Sequence, residues 1–236
     1  MLLLFASGCA RTLYGRGEPL LPWPVDAEGV RTELRGEGRV FRSETVTASS
    51  PTVVFLHGFA TTPAQYGHTL EQLAARGFVV WAPALPDYWL GRVGYHGVVL
   101  AAAQAAYAEA AADARARGAG PPMLVGHSMG GGAALLVAAG HNVPVVLWAP
   151  VRLDLPLPEP APPSLVLLAD HDCIAGDQPK QLVAALRPGP ETAVISGNHV
   201  GFTDRTGEQF DCDSPVTRDV QRAEALRLTV EYLSRP

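Results

Sequence analysis

Six nearly continuous apolar segments, rich in residues that favour β-structure, recur along this chain and limit the folds that it can adopt. They lie at 52–57, 78–83, 122–127, 143–150, 164–170 and 191–196. Uninterrupted apolar runs of this length are typical of parallel strands whose two faces are both covered. Helical patterns lie between most of the segments, so the sequence predicts an α/β fold with a mostly parallel open sheet and helices on both faces. Ligands bind such sheets beyond the carboxyl ends of the strands.

The same pattern predicts the inward faces of particular helices. One helix begins at Thr62-Pro63 and ends at Gly77. A second helix has one apolar face, formed by Val99, Ala103, Tyr107, Ala110 and Ala114. The last helix is predicted to begin at Ser214-Pro215. Its predicted inward face consists of Val216, Val220, Ala223, Val230 and Leu233.

Composition sets the domain count and excludes several partners. A chain of 236 residues with 47% hydrophobic and 17% charged residues favours one compact domain, which we place at 30–236. The net charge is −5 and no cluster of Lys and Arg could neutralise phosphates, so we expect no nucleic-acid partner. Histidines and carboxylates lack the spacing of metal ligands, and the only glycine-rich segment is 126–132. We therefore expect no metal and no cofactor.

The N-terminus begins with a short apolar run that ends in Ala-Ser-Gly-Cys. It resembles a bacterial lipoprotein signal, which predicts a signal segment at 1–8, lipidation of Cys9 and a tether at 9–29. The protein would then be exported and would meet a membrane only through its lipid anchor. No Lys or Arg precedes the run, which is shorter than usual. The alternative is an apolar tail on a cytosolic protein.

A single serine stands between glycines in the segment VGHSMGGGAA, at 125–134. Ser128 directly follows a predicted buried strand and precedes an alanine-rich helix, so the chain must turn sharply there. Gly126 and Gly130 fit this turn, because a side chain at either position would collide with the neighbouring strand or helix. A G-x-S-x-G turn of this kind exposes a nucleophile at a helix N-terminus, where unpaired amides favour negative charge. The context disfavours the alternative of a chance Gly/Ser-rich turn.

A serine hydroxyl becomes a good nucleophile only beside a base that a carboxylate orients. In a fold of this kind the acid and then the base follow the serine, each after a later strand. His199 follows the last predicted strand, while Asp170 and Asp172 follow the strand before it. We favour Asp172, because the acid must lie a few residues into the loop. Asp170 remains the alternative, with hydrogen bonding to loop amides as its other role.

The developing oxyanion also needs hydrogen-bond donors. We predict the backbone N–H of Met129, next to the nucleophile, and that of Phe59 in the segment LHGFATTP. Gly58 allows the backbone to approach the site closely. The Met129 side chain has the alternative role of filling the core.

The segments VVFLHGF, LAARGFVVWAPAL, GHSMGGGAAL, DHDCIA and GNHVGF, in this order, resemble the α/β-hydrolase superfamily. Within it they are similar to the lid-less group of chlorophyllase-like esterases, dienelactone-hydrolase-like proteins, and bacterial cutinases and polyester hydrolases. The resemblance spans about 50–235 and implies a triad of Ser128, Asp172 and His199. It implies Phe59 and Met129 as oxyanion donors. Polyester hydrolases of this group carry a tryptophan where this chain has Val151, which argues against activity on aromatic polyesters.

The leading functional prediction is therefore hydrolysis of carboxylic esters. A thioesterase or acyltransferase would use the same triad, and a non-catalytic binding lipoprotein is the alternative from another class. The connection between Trp148 and Ser164 is too short for a helical lid, so we expect an open apolar cleft. The residues predicted to line the cleft are Phe59, Tyr88, Trp89, Val151, Val200 and Phe202. Tyr88 and Trp89 have the alternative role of covering the sheet.

Two cysteines remain when Cys9 is set aside. An even pair in an oxidising compartment favours a disulfide between Cys173 and Cys212. Such a bond would connect the loop of the predicted acid with the loop of the predicted base. The alternative is a pair of buried, reduced thiols.

Overall fold

The computed structural model describes residues 29–36, 38–86, 94–204 and 211–235. The predicted signal segment at 1–8, Cys9, nearly all of the tether, Tyr88 and Trp89 lie outside these ranges. Within them, eight strands form one sheet: β1 (Val30–Arg35), β2 (Gly38–Ser43), β3 (Thr52–Leu56), β4 (Val79–Ala82), β5 (Met123–His127), β6 (Val145–Trp148), β7 (Ser164–Ala169) and β8 (Glu191–Ile195).

The spatial order of the strands is β1-β2-β4-β3-β5-β6-β7-β8. Strands β3 to β8 are parallel to one another, as predicted, and coincide with the six apolar segments. Strands β1 and β2 add an antiparallel edge that the sequence analysis missed. Strand β1 is the edge strand and most of its residues are exposed, while β2 lies between β1 and β4. Arginines interrupt the apolar residues of both strands, so neither forms a continuous apolar segment.

Five helices of the described residues cover the sheet: α1 (Gly67–Ala75), α2 (Tyr95–Arg117), α3 (Met129–His141), α4 (Gln178–Ala185) and α5 (Arg218–Leu233). Helices α2, α3 and α4 pack on one face of the sheet, while α1 and α5 pack on the other. This arrangement explains the continuous apolar strands, since both faces of β3 to β7 lie in a hydrophobic core. The inward face of α2 is the predicted one.

The inward face of α5 differs from the prediction. Thr217 caps the helix by accepting a hydrogen bond from the Val220 amide, so the helix begins at Arg218 and not at Ser214-Pro215. Val220 is 56% exposed as a result, and of the predicted inward residues only Leu233 is buried. The buried face instead includes the polar residues Gln221 and Thr229. Hydrophobic periodicity does not detect buried polar side chains, which need partners supplied by other elements.

The connection between β6 and β7 determines how open the site is. Residues 149–163 are all described and contain no helix, in agreement with the predicted absence of a lid. Among the described residues, no helix has the length and apolar character needed to cross a membrane.

Candidate active site

Ser128 lies between β5 and α3, at the carboxyl edge of the sheet. Its backbone has φ 55° and ψ −123°, a conformation that costs a non-glycine residue free energy and is characteristic of functional turns. A Cβ atom on Gly126 would overlap the Gly130 carbonyl, and one on Gly130 would overlap the Leu56 carbonyl. The glycines therefore allow β5, α3 and β3 to approach closely enough to present the serine.

His199 follows β8 and pairs with Asp172. The distance between His199 Nδ1 and Asp172 Oδ2 is 2.8 Å, and the two side chains are only 5% and 3% exposed. The other oxygen of Asp172 accepts hydrogen bonds from the amides of Ile174 (3.0 Å) and Ala175 (2.7 Å). A carboxylate held in this way accepts the Nδ1 proton and leaves Nε2 available as a base.

Ser128 and His199 line the same cleft. Within the described part of the chain, no hydrogen bond joins the serine hydroxyl to the imidazole. Such bonds are often long in unliganded enzymes and shorten when substrate binds. The structure thus brings all three residues of the predicted triad to one site.

Asp170, the alternative acid, has different partners. Its carboxylate accepts hydrogen bonds from His171 (2.7 Å), the Gly197 amide (2.9 Å) and Ser196 (3.2 Å). Burial alone would raise the pKa of the Asp170 carboxyl, but these hydrogen bonds outweigh it and lower that pKa. The partners of Asp170 fasten the loop after β7 to the loop after β8.

The predicted oxyanion donors flank the serine. Met129 is the first residue of α3, where backbone amides have no partner within the helix. Its side chain is 5% exposed and accepts a hydrogen bond from the Tyr95 hydroxyl, so the core-filling role also applies. Gly58 and Phe59 line the cleft from the other side, and a Cβ on Gly58 would lie 3.2 Å from the serine Cβ.

The cleft has a volume of about 270 Å³ and is mainly apolar. Phe59, Val151 and Val200 line it, as predicted. Phe202 does not: it is 0% exposed and stacks on Trp148 in the core, because the turn after His199 points its ring inward. Eight further lining residues were not predicted from the sequence. They are Thr61, Tyr95, His96, His127, Leu153, Ile174, Gln178 and Thr203.

Two more histidines lie behind the site and are buried. Burial lowers the pKa of His57 to about 4, against a smaller opposing effect of the Gly58 carbonyl. Burial also lowers the pKa of His127 well below its ordinary value; the charge of His199 lowers this pKa further, while a hydrogen bond to the His199 backbone opposes the shift. Both rings are therefore neutral at pH 7 and act as hydrogen-bonding groups.

Cys173 and Cys212 form a disulfide with a Cα–Cα distance of 5.4 Å. Asp211, which the sequence analysis missed, reinforces the same connection. Its carboxylate accepts hydrogen bonds from the amides of Cys173 (3.1 Å) and Val200 (2.9 Å). These two amides directly follow Asp172 and His199 in the chain, so one carboxylate contacts both loops of the acid–base pair. A lone aspartate in a loop carries no sequence signal for this role.

The family model described as "Alpha/beta hydrolase family" matches residues 53–233. The chain belongs to the α/β hydrolase family. Solved structures share the fold of this α/β hydrolase at low sequence identity. The apo form of Thermogutta terrifontis esterase 2 is 18% identical, with 90% of this chain and 97% of that chain covered and a TM-score of 0.63. TT1662 from Thermus thermophilus is 19% identical, with 88% and 99% covered and a TM-score of 0.59.

A search of curated protein sequences gave no match to this α/β hydrolase. Within the four described ranges, no group of three or more His, Cys, Asp or Glu side chains is arranged to hold a metal ion.

Proposed function

We propose that this α/β hydrolase cleaves carboxylic esters through an acyl-enzyme on Ser128. The observation that carries the proposal is the buried Asp172–His199 pair, placed in one cleft with a strained serine at a helix N-terminus. A binding protein has no need for a base, an acid and a strained serine together. The family membership and the fold shared with Thermogutta esterase 2 support the same chemistry.

The proposed reaction begins with attack of Ser128 Oγ on the ester carbonyl, while His199 Nε2 takes the hydroxyl proton. Asp172 stabilises the resulting imidazolium. The amides of Phe59 and Met129 donate to the oxyanion of the tetrahedral intermediate. The intermediate then expels the alcohol, which takes the proton from His199. Water, activated by the same histidine, releases the acid and regenerates the serine.

The cleft favours small substrates. Its volume of about 270 Å³ lies near the lower end of the usual range for small-molecule sites. Thermogutta esterase 2 has also been solved with propionate bound, at 18% identity and a TM-score of 0.62. We therefore propose short-chain esters as substrates. Among p-nitrophenyl esters from C2 to C12, the rate should be highest for the shortest acyl groups.

A fluorophosphonate label tests the proposed nucleophile. Mass spectrometry should locate the label on Ser128, and Ser128→Ala should lower kcat by a factor on the order of 10⁶. Ser164→Ala removes another buried hydroxyl, in β7 and outside the cleft, and should leave kcat unchanged. Label on another residue, or more than about a hundredth of the wild-type rate in Ser128→Ala, would contradict the proposal. The rate on thioesters compared with esters distinguishes a thioesterase from an esterase. Transfer of the acyl group to an added alcohol identifies an acyltransferase.

A further inference from the structure

Hydrogen bonds to its carbonyl oxygen fix the orientation of the peptide group between Gly58 and Phe59. Gly58 O accepts two hydrogen bonds, one from the Thr61 hydroxyl (2.7 Å) and one from His57 Nδ1 (2.9 Å). Thr61 is 8% exposed and His57 is 3% exposed. Both donors therefore come from buried side chains, and Thr61, like Gly58, also lines the cleft.

The donor role of His57 follows from its other nitrogen. Nε2 lies 2.8 Å from the Leu85 amide, which can only donate, so Nε2 accepts. Burial keeps the imidazole neutral, and a neutral ring has one proton. That proton is on Nδ1 and points at the Gly58 carbonyl.

The preceding peptide group, between His57 and Gly58, is fixed as well. The Gly58 amide donates to the Tyr66 hydroxyl (3.2 Å), and this hydroxyl lies 2.8 Å from His127 Nδ1. The Thr61 proton is committed to Gly58 O, and the Gly58 amide uses a lone pair of the Tyr66 oxygen. The Tyr66 hydroxyl also lies 3.3 Å from Thr61 Oγ1, so its own proton goes either to His127 Nδ1 or to the Thr61 oxygen. Both polar groups of Gly58 thus have defined partners in the protein interior.

The orientation of Gly58 O determines the orientation of the Phe59 N–H. The peptide bond between them is trans, because the cis bonds of the described residues are Glu159-Pro160 and Arg187-Pro188. In a planar trans peptide the N–H points opposite to the C=O. A carbonyl held toward the interior therefore directs the Phe59 N–H outward, on the side where Gly58 and Phe59 line the cleft beside Ser128.

We propose that Thr61 is a positioning residue that orients and polarises the Gly58–Phe59 peptide as an oxyanion donor. This inference rests on the proposed function, since it needs a reaction that passes through an oxyanion. Hydrogen bonds accepted by a carbonyl strengthen the N–H of the same peptide as a donor. Donors that are oriented before the reaction stabilise the transition state more than the ground state. Thr61 should therefore affect kcat and not KM.

The test compares Thr61→Val, which removes the hydroxyl at nearly constant shape, with Thr61→Ser, which keeps it. Thr61→Val should lower kcat about tenfold, less than the loss of a complete oxyanion donor, because the His57 bond remains. KM should not change. The dissociation constant of a short-chain trifluoromethyl ketone, which adds to the serine and forms an oxyanion, should rise by the same factor. Thr61→Ser should restore both quantities.

Thr229→Val is the matched control. Thr229 is 0% exposed and lies on α5, outside the cleft; its hydroxyl donates to the Ala225 carbonyl (2.7 Å) and accepts from Trp148 Nε1 (3.0 Å). Thr229→Val should lower the melting temperature without changing kcat or the affinity for the ketone. If Thr61→Val lowers only the melting temperature, as the control does, or if KM changes instead of kcat, the positioning role is wrong.

Different results would overturn the proposed function and the role of Thr61. If the wild-type protein reacts with neither esters nor the phosphonate, the esterase proposal is overturned, and this inference with it. If the wild type reacts and Thr61→Val reacts at the same rate, only the role of Thr61 is overturned. Circular dichroism of each variant establishes that it is folded.

Discussion

The side-chain amide of Gln221 hydrogen-bonds both backbone groups of Asn198. Gln221 Nε2 donates to Asn198 O (2.7 Å), and its Oε1 accepts from Asn198 N (3.1 Å). Gln221 lies on α5 and is 1% exposed. Asn198 immediately precedes His199, and a Cβ on Gly197 or Gly201 would overlap the glutamine side chain. Helix α5 therefore holds the loop that carries the proposed base.

Replacing Gln221 with leucine should weaken both stability and activity. The change leaves the N–H and C=O of the half-buried Asn198 without these partners, which costs about 1–3 kcal/mol per group. We expect the free energy of unfolding, measured in urea, to fall by at least about 2 kcal/mol. The rate kcat should also fall, because the loop before His199 is released. Gln181→Leu, on the exposed side of α4, is the control and should change neither quantity. A Gln221→Leu protein with wild-type stability would contradict the interpretation of this contact.

The two aspartates after β7 should differ strongly in their effect on kcat. Asp172→Asn removes the charge that stabilises the imidazolium and favours the wrong tautomer of His199, a loss of roughly 10⁴ in well-studied triads. Asp170→Asn loosens two loops without contacting the imidazole of His199, so its kcat should fall less than about tenfold. Steady-state kinetics of both variants on one ester provides the comparison. A reversed order would assign the acid to Asp170, and equal losses would contradict the assignment to Asp172.

The disulfide should stabilise the fold more than it supports catalysis. It closes a loop with a sequence separation of 39, which corresponds to about 4 kcal/mol in the chain-entropy model. Reduction should therefore lower the melting temperature. We expect only a small loss in kcat on reduction, because the Asp211 carboxylate still accepts hydrogen bonds from the amides of Cys173 and Val200.

The matched variant replaces Cys173 and Cys212 with serine. Its melting temperature should equal that of the reduced wild type and should not respond to reductant. Non-reducing peptide mapping should yield a linked peptide with both cysteines. Labelling of both as free thiols in native, unreduced protein would rule out the bond.

Stability should decrease as pH falls from about 6.5 to about 4. The pKa of His57 is lowered to about 4 in the fold, so in this range the unfolded chain binds the proton and the folded protein does not. The stabilising contribution is complete above the unfolded pKa and is lost on acidification. The lowered pKa of His127 acts in the same direction. For His57 alone the loss is roughly 3 kcal/mol.

Urea denaturation at several pH values measures this effect. His57→Gln should flatten the pH dependence between pH 4.5 and 6.5, while His141→Gln, at the exposed end of α3, controls for replacing a histidine. An NMR titration of the His57 ring in the wild-type protein gives an independent value. A midpoint near 6.5, or the same pH dependence in wild type and His57→Gln, would contradict the prediction.

The parallel part of the sheet and the serine turn can be predicted from the sequence alone. Strands β3 to β7 are recognisable because burial on both faces requires uninterrupted apolar residues, which is a local property of each segment. The inward face of α2 follows from local periodicity for the same reason. The turn at Ser128 depends on glycines at fixed spacing, so it too can be predicted from adjacent residues.

Which polar groups come into contact depends on the path of the whole chain. Asp170 and Asp172 are equivalent candidates in the sequence, and the path of the loop after β7 brings Asp172 to His199. Phe202 was wrongly predicted in the cleft, because the direction of a ring in a short turn depends on the core beneath it. Gln221 and Asp211 bond backbone groups far away in the chain. Contacts of this kind leave no periodic pattern, since each requires a particular pair of donor and acceptor brought together by the whole fold.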